Sequence, residues 1–383
     1  MLDERHASLP NLNASDENVY TYGEINEHNV VIARMPTGET GKVSAALTAQ
    51  FLKDSFKMKV YLFVGIGGGY PYHIYWDNQP IRLGDVVVGS PKATGNSAVV
   101  EYDRGRMIPG DFLSFSILGR PIRQLVSVVD QLEMNAAMGD SSFDRHLNRL
   151  NIENLTKRKV DFNPGRFAYP GSQYDILFRS DSKHKGGPDP TCSNCDRTAV
   201  LRNARPDNKP VFHRGTIASG DSVIQDAEKR DELSERFDHA ICFEMEAAGV
   251  MDLTHCLVIR GISDYADTHK HYIWHDYAAA TAAAFAREIL HTLPLTILKE
   301  VESKPLSTQD PPAEASSSFT APPTPGVLAN SDQVGLRVEA TNNSAPSQKA
   351  DAPTGSANSA GNLATDNPNQ HKPLTRLFRR KDY

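Results

Sequence analysis

Glu246 closes the run Ala240-Ile-Cys-Phe-Glu-Met-Glu246, and Asp264 closes Cys256-Leu-Val-Ile-Arg-Gly-Ile-Ser-Asp264. Carboxylates among apolar neighbours are costly unless they are paired, hydrogen-bonded or used. Two of them, about one strand–helix–strand step apart, therefore mark a candidate site. Desolvation that raises a carboxyl from its ordinary pKa of about 3.9 makes it a general acid at neutral pH. A second carboxylate nearby would stabilise positive charge developing on a substrate.

The elements around these residues read as an α/β fold. Strands are expected at 19–22, 29–33, 60–64, 83–88, 211–218, 240–243 and 256–262. Helices are expected at 40–57, 121–138, 144–157, 227–236, 247–253 and 276–293, from apolar residues at helical spacing. Alternating strands and helices predict a central mixed, mainly parallel sheet flanked by helices in three layers. Ligands of such folds sit at the carboxyl ends of strands. Gly65-Ile-Gly-Gly-Gly69, Ser219-Gly-Asp221, Met245-Glu246 and Ser263-Asp264 all fall there. The glycine run reads as a loop that either lets backbone approach a ligand or simply turns tightly.

The chain has 383 residues, 39% hydrophobic, with a formal charge of -6. Its mean hydropathy of -0.45 is low for a wholly globular chain. The deficit is concentrated in residues 301–383, which hold ten of the 24 prolines and three aromatics among Ser, Ala, Asn and Thr. Such a tail cannot bury a core and is expected to be disordered, leaving residues 1–300 as one domain with an insertion at about 160–208. The tail carries eight acidic and eight basic residues, so the net negative charge belongs to the domain and gives no support for nucleic-acid binding. No apolar run is long enough for a membrane span and no secretory signal opens the chain. The expected location is cytoplasmic, with a nuclear address open through the basic cluster Arg376-Leu-Phe-Arg-Arg-Lys381.

Cys192-Ser-Asn-Cys195 is a lone C-x-x-C in a polar stretch. His184 and His213 could complete a zinc site, but no second pair supports one, and a plain surface loop is the preferred reading. Lys183, His184 and Lys185 likewise read as solvated. Thr37-Gly-Glu-Thr-Gly-Lys42 is not a phosphate-binding loop, because Pro36 stands where the first glycine is required and Val43 where a metal-binding hydroxyl is required.

Gly41-Lys-Val-Ser-Ala-Ala, the Gly65–Gly69 run, Arg82-Leu-Gly-Asp-Val-Val-Val-Gly-Ser-Pro, Gly215-Thr-Ile-Ala-Ser-Gly-Asp, Phe243-Glu-Met-Glu-Ala-Ala and Ile262-Ser-Asp-Tyr-Ala-Asp267 occur in a distinctive order. In that order and spacing they resemble the nucleoside phosphorylase and nucleosidase superfamily, especially its fungal branch attached to NACHT or ankyrin regions. The resemblance runs from about residue 20 to 298. It implies N-glycosidic bond cleavage on a purine nucleoside or nucleotide, with Asp264 protonating or hydrogen-bonding purine N7. It implies that Glu246, with the backbone at Met245, holds the ribose hydroxyls. Val223 and Ile224 would pack on the base, while Gly65, Ile66, Gly67 and Ser263 complete the substrate site. Glu244 and Asp267 read as supporting or merely solvated neighbours of these groups, and Asp221 as a cap of the following turn. No metal or organic cofactor is required, and the resemblance implies a homo-oligomer.

Two departures from the family pattern matter. Phosphorylases carry an Arg and a Ser for phosphate where this chain has Phe63 and Ile66, which points to water as the nucleophile. The family also opens on an apolar strand whose loop carries a water-positioning Glu, and that first strand is expected to be missing, leaving a gap and unpaired backbone in the sheet. The alternatives are a phosphorylase and a catalytically impaired purine-binding regulatory module.

Overall fold

The computed structural model describes residues 1–7, 15–71, 80–91, 95–115, 118–141, 143–150, 164–187, 191–195 and 199–295. The tail at 301–383 lies outside the described residues, as does the second half of the helix expected at 144–157.

The chain opens on β1 (Glu4–Arg5), β2 (Tyr20–Ile25) and β3 (His28–Ala33), a three-stranded antiparallel sheet. The β2–β3 turn places Asn26 and Glu27 at positive φ, as a two-residue hairpin requires. Helix α1 (Lys42–Ser55) leads to β4 (Leu62–Gly69), then β5 (Val86–Gly89) and β6 (Val99–Glu101). The hairpin β7 (Gly105–Ile108) and β8 (Asp111–Ser114) precedes helices α2 (Arg123–Ala137) and α3 (Phe143–Asn148). After the insertion come β9 (Phe212–Gly215), β10 (Ile217–Ser219), α4 (Ala227–Arg236) and β11 (Cys242–Glu244). Helix α5 (Ala247–Thr254), β12 (Leu257–Asp264) and α6 (His275–Thr292) end the described fold.

The seven-stranded sheet runs β6-β10-β11-β4-β12-β5-β9. Its pairs are parallel except β11–β4 and β12–β5. The expected single strand at 211–218 is in fact two. β9 pairs with β5 at one end of the order and β10 with β6 and β11 at the other, with only Thr216 between them. Consecutive residues thus join the two ends of the strand order, and the sheet must curl. The Thr216 hydroxyl donates to Ser97 O at 2.8 Å at this crossing.

β12 is buried along its whole length, which explains why apolar Leu257, Val258 and Ile259 follow one another in it rather than alternating with polar residues. One face packs with β5, α2 and α6 through Val86, Val88, Leu125, Val129 and Phe285; the other packs α1 and α5 through Ala45, Ala49, Val250 and Met251. β4 does not break into a loop at its glycines but stays in the sheet through Gly69. Along Leu62–Gly67 it pairs with β12 on one side, while β11 reaches it only at Gly68 and Gly69. Among the described residues no strand fills the rest of that edge, the gap expected from the sequence, and Val64 there is exposed.

The insertion is tied to the sheet rather than solvated throughout. Asp85 is wholly buried; it accepts from Arg205 Nη1 at 2.6 Å and Nη2 at 2.5 Å, and from Val211 N at 3.0 Å. His213 Nε2 lies 2.9 Å from the same carboxylate, so His213 serves this pairing and not the cysteines. Burial pushes the Asp85 carboxyl up, but Arg205 and His213 outweigh it and hold the group down at about 2. A depressed carboxyl contributes stability above its unfolded value, and that contribution is lost as pH falls from about 4 through 2. Asp85→Ala strands the buried partners and is expected to cost about 3 kcal/mol at pH 7. Urea titrations of variant and parent should show that gap shrinking toward pH 2; an equal gap at both pH values would refute the assignment.

Candidate active site

Asp264 is the last residue of β12, and β-pairing shifts register next to it, with Ile262 opposite Gly67 and Asp264 opposite Gly68. Gly68 is required there, because a Cβ would stand 2.9 Å from Asp264 Oδ1 and 2.9 Å from the Ala266 Cβ. Gly68 therefore makes room for the Asp264 carboxylate. Asp264 is 4% exposed. Its Oδ1 accepts the Ala266 N–H at 3.0 Å, and its Oδ2 accepts the Ser263 hydroxyl at 2.8 Å. Lys270 Nζ lies 3.0 Å from Oδ2.

Glu246 stands at the N-cap of α5, immediately after β11. Its Oε1 accepts the Gly41 N–H at 3.3 Å, and its Oε2 lies 3.6 Å from Arg260 Nη2. Glu244 does the capping. It accepts from Glu246 N at 3.1 Å and from Ala247 N at 3.0 Å, and it is bound directly by Arg260. Glu244 is thus buried and paired, which settles between the two roles the sequence left open for it in favour of support. Asp221 does not cap the turn after it: its Oδ1 accepts Lys42 N at 3.0 Å, and Asp226 caps α4 through Glu228 N and Lys229 N. Lys42 Nζ gathers Glu101 and Asp103, both at 2.7 Å. Burial opposes its charge, but Asp103 and Glu101 outweigh that and raise its pKa.

One cavity of about 270 Å³ brings the two carboxylates together. Ile66, Gly67, Met245 and Ser263 line it as expected, and Val223 and Ile224 form a wall, with Val223 at the exposed mouth. Gly65 does not reach it. Gly65 lies beneath the Arg260 guanidinium, whose Nη1 would be 1.8 Å from an added Cβ. Asp267 also stays outside the lining, accepting His269 N at 2.8 Å.

The sequence did not single out Lys270, His275, Phe243 or Thr40, all of which line the cavity. Lys270 follows Asp264 by six residues across an irregular loop, a spacing no periodicity marks. His275 opens α6, and its Nε2 is buried with no hydrogen-bond partner. Burial lowers its pKa, against the pull of Asp264, so its imidazole is neutral at pH 7 and able to accept from or donate to a ligand.

The family model described as "Phosphorylase superfamily" matches residues 2–293. A nucleotide-binding leucine-rich repeat (NLR)-like protein of Hyaloscypha variabilis is 37% identical over 291 residues, 76% of this chain and 27% of that protein. The chain therefore spans about a quarter of that relative's length. The 5'-methylthioadenosine/S-adenosylhomocysteine nucleosidase of Bacillus subtilis is 33% identical over 93 residues, 23% of this chain and 38% of that one. An ATP nucleosidase, Cap17, of Escherichia coli is 36% identical over 85 residues, 21% of this chain and 17% of that one. Among solved structures, the Neisseria meningitidis 5'-methylthioadenosine/S-adenosylhomocysteine nucleosidase is 16% identical, with 76% of this chain and 92% of that one covered at a TM-score of 0.45.

Helix α5 sets the distance between Glu246 and Gly41, and Gly249 sets the distance between α5 and α1. A Cβ at Gly249 would stand 2.1 Å from the Lys42 carbonyl oxygen, a backbone atom that cannot swing aside. Gly249→Ala should push the helices apart and cost about 1–3 kcal/mol. Urea unfolding measures this, and a variant as stable as the parent would contradict the packing described.

Proposed function

The chain belongs to the phosphorylase superfamily, and from that premise we propose that it hydrolyses the N-glycosidic bond of a purine nucleoside or nucleotide. The observation that carries this is the placement of Asp264 and Glu246 on one apolar-walled cavity, the first at a strand end and the second at a helix N-terminus. The similar proteins named as nucleosidases support a hydrolytic reading, one for thioether nucleosides and one for ATP.

In this reading the base lies against Ile224, Val223 and Phe243, with N7 toward Asp264. Asp264 delivers a proton or hydrogen bond to N7 as the C1′–N bond breaks, and the bonding pair leaves with the base. Glu246 accepts from the ribose hydroxyls, and its negative charge favours the cation forming at C1′. Water adds to C1′ and returns a proton to Asp264, so free sugar and free base are released.

Among the described residues, the two cations nearest the carboxylates are already paired. Phe63 lies under the Arg260 guanidinium at 4.6 Å from its ring centre, and that guanidinium is held by Glu244. Lys270 is held by Asp264. No cation in this group is left to an attacking phosphate.

Incubation with ATP, adenosine and methylthioadenosine should release base and free sugar at a rate that added phosphate leaves unchanged. Ribose 1-phosphate as the main product would overturn the proposal, as would binding without turnover. Asp264→Asn and Glu246→Gln should each lower kcat/KM by about 10²-fold or more. Circular dichroism serves to confirm that both remain folded.

A further inference from the structure

The C-x-x-C stretch is not a plain surface loop. Cys192 and Cys195 are 7% and 5% exposed and pack against Phe178, in a small apolar cluster of their own. Their sulfurs converge on one ring nitrogen: His184 Nδ1 lies 3.3 Å from Cys195 Sγ and 3.8 Å from Cys192 Sγ, and the three ligand atoms fall within 4.8 Å of one another. We propose that Cys192, Cys195 and His184 form a structural zinc site that fastens the insertion to the loop following Asp264.

Three features of the cluster fit a metal better than a thiol contact. His184 Nε2 lies 2.9 Å from the Gly187 carbonyl, which can only accept, so the proton sits on Nε2 and the Nδ1 lone pair faces the sulfurs. Zinc bonds of about 2.3 Å to sulfur and about 2.0 Å to nitrogen at tetrahedral angles set S···N near 3.6 Å. The two measured separations straddle that value. The Lys185 N–H is directed at Cys195 Sγ at 3.4 Å, the kind of donor that supports a thiolate. Two sulfurs and an imidazole are also the donor set that prefers zinc over hard cations.

The ring of His269 lies beside the cluster, its centroid 5.6 Å from that of His184 and stacked on Phe178 at 3.8 Å. His269 is 7% exposed; its Nδ1 faces Asp267 Oδ2 at 3.7 Å, while its Nε2 is buried with no hydrogen-bond partner among the described residues. A buried ring nitrogen without a partner, next to three convergent ligand atoms, is a second sign of an electrophile in this place. The geometry also says what the ion would do. The His184 N–H donates to Thr268 Oγ1 at 2.8 Å, and Thr268 lies between Asp264 and Lys270. Fixing His184 therefore fixes the loop that presents Lys270 to the cavity.

Elemental analysis of the full chain, purified without added metal, tests this. About one zinc per chain is expected, with Cys192→Ser and Cys195→Ser each retaining less than a tenth of it. In case those variants fold poorly, Co²⁺ exchanged into the parent protein should give an intense near-ultraviolet sulfur-to-cobalt charge-transfer band, which oxygen or nitrogen ligation alone cannot give. A chelator should lower the melting temperature of the parent without changing that of either variant. Absence of both zinc and the cobalt band would overturn the proposal. So would a mass two hydrogens short, which would place a Cys192–Cys195 disulfide there.

Discussion

The site depends on one buried cation. Arg260 leaves β12 four residues before Asp264, crosses β4 above Gly65 and binds Glu244 at the end of β11. Its charge is almost fully withdrawn from water, so the pair is weak evidence for stability but strong evidence for position. Three strands are locked in register at the edge where both carboxylates emerge. Glu244, held by Arg260, in turn receives the first N–H groups of α5 and so fixes the direction in which Glu246 leaves the strand. Gly65 belongs to this arrangement as the gap the guanidinium crosses, which is why it matters without touching the cavity.

The curl of the sheet does the second part of the positioning. β9 and β10 are one passage of chain shared between the two ends of the strand order, so the loop after β10 is carried round to the glycine-rich end of β4. That brings Val223 and Ile224 opposite Ile66, and it lets Lys42 join Glu101 and Asp103 at the end of β6 with Asp221 after β10. At the other end of the same passage, Asp85 collects Arg205 and His213, so the insertion is anchored where β5 and β9 begin to pair.

Strand-end placement of the motifs was legible in the sequence because each ends a β-branched run at a Gly, Ser or acidic residue. The mixed sheet follows that reading, and the expected residues other than Gly65 line one cavity. What escaped was everything that depends on three dimensions at once. The 211–219 stretch, Val-Phe-His-Arg-Gly-Thr-Ile-Ala-Ser, reads as one strand, and its pattern does not show that Thr216 divides two pairings. Lys270 and His275 carry no periodicity, because they belong to an irregular loop and a helix start. The burial of Cys192 and Cys195 was invisible in a polar stretch, since it comes from one aromatic residue, Phe178, fourteen positions earlier.

The loop from Asp264 to Lys270 is held at both ends by unlike means. At its start, Asp264 is fixed by the sheet through Gly68 and by the Ser263 hydroxyl. Further on, Tyr265 is buried, and its hydroxyl receives Arg202 Nη1 at 2.6 Å, while Arg230 donates to the Tyr265 carbonyl at 2.8 Å. Arg202 belongs to the insertion and Arg230 to α4, so two independent segments converge on one residue beside the proposed proton donor. A loop with so few contacts of its own could not keep Lys270 within 3.0 Å of Asp264 by local sequence preference. The insertion is therefore part of the active site's framework. Its contribution is to restrict where Lys270 and Ala266 can stand beside Asp264.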